Sequence, residues 1–169
     1  EATDREMAFR SQYEKDERYN LTAIRKTGTD TDGLRFHRPT RGIISSSFDP
    51  DHGHYGVDIA ANPNESVLAT LNGVVLWVAY TLDTGWVIAL QHRKGIVSVY
   101  KHCGTLLKQQ GQQVTGGEAI ALVGNTGKYT TGPHLHFELW ADGKAMNPEQ
   151  YIVFRSEERR VGKECDPAC

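Results

Sequence analysis

Short apolar runs separated by glycine-containing turns dominate the chain between residues 36 and 154. Each run is about the length of a strand and is rich in Val, Ile, Leu or aromatic residues. The turns contain the pairs Asn72-Gly73, Thr84-Gly85, Lys94-Gly95, Gly116-Gly117 and Thr126-Gly127. Many strands at such short spacing predict an all-β fold, an antiparallel β-sheet sandwich.

The chain divides into three parts. Residues 1–26 are charge-rich and contain no Gly or Pro, which predicts a helix, and residues 27–35 form a polar linker. We therefore expect a helical extension and linker over 1–35 and a folded domain over 36–154. The tail 155–169 has no periodicity, and its first eleven residues resemble the translation of a common DNA-sequencing adapter. We expect this tail to be unstructured and without function.

Composition excludes some partners and leaves others open. The net charge of −2 over 169 residues gives no electrostatic basis for binding nucleic acid. No apolar run approaches the roughly 20 residues needed to span a bilayer, and no signal peptide is visible. Because the chain begins with Glu1, an export segment or membrane anchor further upstream stays open. The 1–35 segment would then be a stalk or a cover for a groove.

Cysteine use predicts no disulfide framework in the folded domain. Cys103 is the only cysteine in the patterned region, and we expect it to be a small buried hydrophobic residue. Cys165 and Cys169 lie in the tail and are poor candidates for metal ligands.

Two histidines, His134 and His136, share one face of a predicted strand. Residues i and i+2 of a strand point the same way, about 6.6 Å apart, while Leu135 points to the other side. One imidazole of the pair can therefore bind a metal ion while the other reaches the open side of the same ion.

A second cluster contains His54 and Asp58. On a straight strand these side chains would lie roughly 13 Å apart, which is wide for two ligands of one ion. Gly56 lies between them and can adopt a bend that closes the gap. We therefore predict a kink at Tyr55–Gly56.

Two histidines and one carboxylate form a three-ligand zinc set that leaves a position for water. Peptide hydrolysis also needs groups that move protons and stabilise an oxyanion. His102 and the remaining histidine of the 134/136 pair are left for these tasks. We expect His37, His52 and His92 to be structural or solvated.

In this order, the patterns H-x-G-x-D, Y-x-H and H-x-H closely resemble the lysostaphin-like, LytM-type zinc metallopeptidases, also called glycyl-glycine endopeptidases. The resemblance covers about Pro39 to Phe154. It rests on Ser47-Phe48, His54 to Ala60, Val67 to Ala69, Gly73 to Val75, Tyr100 to His102, Gly111 to Val114, Gly116-Gly117, Gly124 to Gly127, Thr131 to Glu138 and Asn147-Pro148.

The resemblance implies one zinc ion per domain, held by His54, Asp58 and His136, with His102 and His134 as the catalytic pair. It also implies a mostly antiparallel β structure with the site in a groove. The implied substrate is a peptide cross-link or bridge in peptidoglycan, at an extracytoplasmic location. One departure from the family pattern is the short segment Phe48 to Gly53, which lacks the Phe-Gly-x-Arg of many members.

Three alternatives compete with a peptidase. Some members of this family have lost ligands and only activate cell-wall amidases, but all five site residues are present here. The stretch Gly111 to Ile120 resembles the hairpin of a biotinyl or lipoyl carrier, yet the chain contains no Met-Lys pair. A closed four-ligand zinc site, with His102 as the fourth ligand, would be non-catalytic.

Overall fold

The computed structural model describes residues 34–124 and 132–154. The helix predicted for residues 1–26 and the tail 155–169 lie outside these residues. The ten strands of the described part are β1 (Ile43–Ser46), β2 (Val57–Ala60), β3 (Ser66–Leu68), β4 (Gly73–Thr81), β5 (Gly85–Gln91), β6 (Ile96–Leu106), β7 (Gln113–Val114), β8 (Ala119–Val123), β9 (His134–Ala141) and β10 (Lys144–Met146). Short 3-10 helices occupy Pro50–His52, Arg93–Gly95 and Pro148–Gln150. No helix in this part of the chain is long and apolar enough to cross a membrane.

All strand pairings among the described residues are antiparallel, which confirms the predicted fold class. The main path runs β1-β2-β9-β6-β5-β4-β7, and β10 extends the sheet from β9. Strand β6 is eleven residues long. Its first part pairs with β9 and β5, and its last part pairs with β8, which in turn pairs with β3. Strands β3 and β8 are therefore joined to the main sheet through β6.

The alternation of side chains on β2 and β9 separates the core from the site. Leu135, Phe137 and Leu139 of β9 are fully buried in the main core, as are Val57 and Ile59 of β2. Burying such side chains contributes about 1.5–3 kcal/mol each. Because successive residues point to opposite faces, the residues between them emerge together on the other face of the sheet.

Cys103 belongs to the same core, as predicted. Its side chain is fully buried, and burial raises the pKa of the thiol to about 12. The thiol therefore stays protonated and is not a nucleophile at neutral pH.

His92 is the centre of a buried polar network at one end of the sheet. Its Nδ1 donates to the carbonyl oxygen of Asn72 at 2.8 Å, and its Nε2 lies 2.7 Å from Ser98 Oγ. Ser98 Oγ is 3.0 Å from the hydroxyl of Tyr100, which also accepts from the backbone N–H of Thr70. His92 is thus a structural residue, as predicted.

The buried position of His92 predicts a pH-dependent stability. Burial lowers the pKa of His92 from 6.5 to about 4, partly offset by its hydrogen bond to Asn72. Between these two pH values the unfolded chain binds a proton that the folded chain does not, so stability falls as the pH falls. We expect this residue alone to cost about 2 kcal/mol of unfolding free energy between pH 7.5 and pH 5.

Urea unfolding of the chain and of a His92→Gln variant at both pH values measures this effect. The variant should be less stable at pH 7.5 but should lose about 2 kcal/mol less on acidification. An equal acid-induced loss in both proteins would contradict the assignment.

Candidate metal centre

Pairing of β2 with β9 brings the predicted ligands together. Asp58 lies directly opposite His136 in the register of these strands. Asp58 Oδ1 is 2.8 Å from His136 Nδ1, and Asp58 Oδ2 is 3.3 Å from His54 Nε2. One ligand atom from each of the three residues lies within 4.8 Å of the other two. That spacing is small enough for all three side chains to bind one ion.

A bend at Gly56 confirms the predicted kink. With this bend, His54 Nε2 lies 3.3 Å from Asp58 Oδ2. On a straight strand the two residues themselves would be roughly 13 Å apart along the chain. A Cβ at position 56 would overlap the carbonyl oxygen of Phe137 and lie 3.1 Å from His136 Nε2. Only glycine allows the backbone to approach β9 this closely.

His54 is anchored by its backbone and oriented by its side chain. The Asp49 N–H donates to the His54 carbonyl at 2.8 Å, and the His54 N–H donates back to Asp49 at 2.9 Å. His54 Nδ1 is 2.7 Å from the carbonyl oxygen of Ser47. Because a carbonyl can only accept, Nδ1 carries the proton, and the lone pair is left on Nε2.

The lone pair of His54 Nε2 fits a cation. This nitrogen is buried and has no hydrogen-bond partner from the described residues. An unsatisfied buried acceptor costs about 1–3 kcal/mol, which a bound ion would offset. Two imidazoles and one carboxylate are also the donor types that zinc prefers. The residues present therefore fit the zinc ion that the resemblance implies.

His102 reaches this site through a β-bulge. One residue of β5 separates Trp86 from Ile88, but two residues of β6 separate their partners Cys103 and Tyr100. The extra residue accompanies a left-handed backbone at His102, with φ of 69°. Such a conformation costs on the order of 1 kcal/mol in a non-glycine residue. Bulges of this kind re-aim side chains beside active sites.

The bulge places the His102 ring beside the H-x-H pair. Its centroid lies 4.7 Å from that of His134 and 6.4 Å from that of His136. His102 Nδ1 is buried and has no hydrogen-bond partner among the described residues. His134 Nδ1 donates to the carbonyl of Gly132 at 2.9 Å, so its lone pair is on Nε2. All five predicted site residues are thus within one cluster.

Burial and close contacts shift the pKa values of the site. Burial, together with the nearby His136 and His134, lowers the pKa of His102 from 6.5 to about 4, so this ring is neutral at pH 7. Burial would raise the pKa of Asp58, but the hydrogen bond from His136 and the neighbouring histidines lower it overall. Burial would lower the pKa of His136, yet its hydrogen bonds to Asp58 and Glu138 raise it.

Sequence reasoning missed two further residues at the site, Glu138 and Lys101. Glu138 is only 3% exposed, and its Oε2 lies 2.9 Å from His136 Nε2. Lys101 Nζ is 3.5 Å from the same oxygen. A signal was available, because Glu138 continues the i, i+2 series of His134 and His136 on one strand face.

Comparison with known proteins decides the family. Residues 52–148 match the sequence profile of peptidase family M23, more than half of the chain. The chain belongs to peptidase family M23. This range contains all five site residues. Membership of M23 also confirms the family that the motifs indicated.

Similar proteins of the family include enzymes and an activator. The chain is 34% identical over 119 residues to the murein hydrolase activator NlpD of Escherichia coli, covering 69% of this chain and 31% of that protein. A zinc containing peptidase from Vibrio cholerae matches with a TM-score of 0.61 and 31% identity, covering 67% and 39%. The catalytic domain of lysostaphin from Staphylococcus simulans matches with a TM-score of 0.55 and 27% identity, covering 66% and 87%. The chain spans about a third of the length of the first curated relatives it matches.

Close packing at Gly56 predicts that Gly56→Ala destabilises the fold. Overpacking of this kind costs about 1–3 kcal/mol, and the added methyl group would also displace His136. Urea unfolding of the metal-free chain measures the loss. Gly53→Ala separates crowding from backbone strain, because nothing lies within 4 Å of a Cβ there and its loss, about 1–2 kcal/mol, comes only from the positive φ of 80°. A Gly56→Ala variant as stable as the unaltered chain would contradict the packing described here.

Proposed function

We propose that this chain is a zinc metalloendopeptidase that hydrolyses peptide cross-links or bridges of bacterial peptidoglycan. The observation that carries the proposal is the convergence of His54, Asp58 and His136 within 4.8 Å, with the His102 and His134 rings beside them. Three protein ligands leave a position for water and substrate, as in catalytic rather than structural zinc sites.

The hydrogen bonds of each histidine indicate which of its nitrogens would bind the ion. His54 would bind through Nε2, because its Nδ1 carries the proton and donates to the carbonyl oxygen of Ser47. His136 would bind through Nδ1, which already faces Asp58. Asp58 would supply a carboxylate oxygen and offset part of the charge of the ion. A zinc ion bound in this way acidifies a coordinated water and polarises a carbonyl group.

His102 and His134 are the proposed catalytic pair. His134 holds its proton on Nδ1 against Gly132, which leaves Nε2 free to accept a proton from water. Burial keeps His102 neutral near pH 7, with a pKa of about 4, so it too can accept a proton or donate a hydrogen bond. One ring would take the water proton, and the other would stabilise the developing oxyanion or protonate the leaving amine.

The substrate class is supported by the relatives. One relative is named a murein hydrolase activator, and one structural neighbour is the peptidase lysostaphin, described as antimicrobial. A peptide of peptidoglycan suits both descriptions, and an enzyme with this substrate would act outside the cytoplasm, in the periplasm or cell envelope.

The relationship to NlpD supports a second candidate function, the activation of a cell-wall amidase without catalysis. The complete ligand set favours the enzyme, because a pure activator does not need His54, Asp58 and His136 to meet within 4.8 Å.

Substitution of the two histidines of the H-x-H pair separates metal binding from turnover. His136→Ala should lose zinc and activity together. His134→Ala should retain zinc and lose activity by about 10²–10⁴-fold, the usual contribution of a positioned acid or base. Zinc content and cleavage of defined cross-linked muropeptides are the measurements. His52→Ala is the control, because that side chain is 82% exposed and pairs only with Asp49 in the described structure. Full zinc retention in His136→Ala would overturn the ligand assignment.

Incubation of the zinc-loaded chain with cross-linked muropeptides, with and without a chelator, distinguishes the two candidate functions. The peptidase predicts cleavage that the chelator abolishes. Failure to cleave any cross-linked species, together with stimulation of a purified amidase, would favour the activator.

A further inference from the structure

Glu138 is a buried carboxylate held by three partners beside the proposed metal site. Its Oε1 accepts a hydrogen bond from Trp140 Nε1 at 2.9 Å. Its Oε2 lies 2.9 Å from His136 Nε2 and 3.5 Å from Lys101 Nζ. Glu138 is only 3% exposed, and burying a charged carboxylate opposes folding unless the carboxylate is paired. Glu138 has such partners on both oxygens, and its position is therefore fixed.

His136 faces carboxylates with both ring nitrogens. Nδ1 meets Asp58 and Nε2 meets Glu138. The backbone at Gly56 closes over the Nε2 side so tightly that a Cβ there would lie 3.1 Å from Nε2 and 2.9 Å from Glu138 Cγ. The Nδ1 side, by contrast, opens toward Asp58 and His54. His136 can therefore bind an ion that it shares with Asp58 and His54 only through Nδ1.

We propose that Glu138 is a positioning residue for the metal site. It accepts a hydrogen bond from the Nε2–H group of His136 and so fixes both the tautomer and the rotation of that ring. Lys101 and Trp140 hold Glu138 in place. The inference rests on the proposed zinc site and adds the group that orients one of its ligands. A carboxylate that accepts a hydrogen bond from the second ring nitrogen of a metal-bound histidine raises the affinity for the metal by preorganising that histidine.

Glu138→Met tests the proposal by removing both acceptor oxygens with little change in size. His136 Nε2 donates to Glu138, and a thioether is only a weak acceptor, so the ring loses the group proposed to orient it. We expect zinc affinity to fall about 10–100-fold, as measured by competition with a chromophoric chelator. Glu118→Met is the control, because that carboxylate pairs with Lys108 outside the site, and the zinc affinity of this variant should be unchanged. Circular dichroism of the metal-free variants shows whether both remain folded.

A second measurement needs no variant. In nitrogen-15 spectra of the zinc-loaded chain, His136 should show a protonated Nε2 and a metal-bound Nδ1. Zinc bound through Nε2, or a folded Glu138→Met variant with unaltered zinc affinity, would overturn the positioning role and leave the zinc site standing. An unaltered chain that binds no zinc would overturn the zinc site and the positioning role together.

Discussion

The antiparallel register of β2 and β9 is the constraint on which the site depends. It sets Asp58 against His136 and Ala60 against His134. The same register is fixed by the core, because Ile59 and Leu135 are paired and fully buried on the opposite face. A slip of one residue would exchange the core side chains of either strand with its site side chains, so apolar burial holds the proposed ligands in position.

The site concentrates features that oppose folding. Glu138 is buried, His102 has a left-handed backbone, and nitrogens of His54 and His102 lack partners among the described residues. Each of these costs on the order of 1 kcal/mol or more. The surrounding strands hold these features in place and would preorganise the proposed metal site. The free-energy cost of arranging the proposed ligands would then fall on folding rather than on binding of the ion.

Much of this arrangement follows from local patterns in the sequence. Glycine-bounded apolar runs predicted the antiparallel fold, the i, i+2 spacing predicted the shared face of His134 and His136, and Gly56 predicted the bend that brings His54 to Asp58. These inferences succeed because strand alternation and glycine geometry act within a few residues.

The remaining parts depend on contacts between distant segments. The bulge that aims His102 arises from a mismatch between β5 and β6, which no local pattern shows. Lys101 meets Glu138 only because β6 lies beside β9 in the sheet. The division of roles between His134 and His136 likewise came from the family resemblance, since spacing cannot distinguish two histidines on one face. The roles themselves remain a proposal.

Anomalous scattering at the zinc edge from crystals of the zinc-loaded chain tests the central claim most directly. We expect one strong peak, about 2.0–2.2 Å from His54 Nε2, an Asp58 carboxylate oxygen and His136 Nδ1, with solvent in the remaining position. The absence of a peak between these three side chains would contradict this assignment. An ion that has His102 as a fourth protein ligand, and so no position for solvent, would contradict it equally.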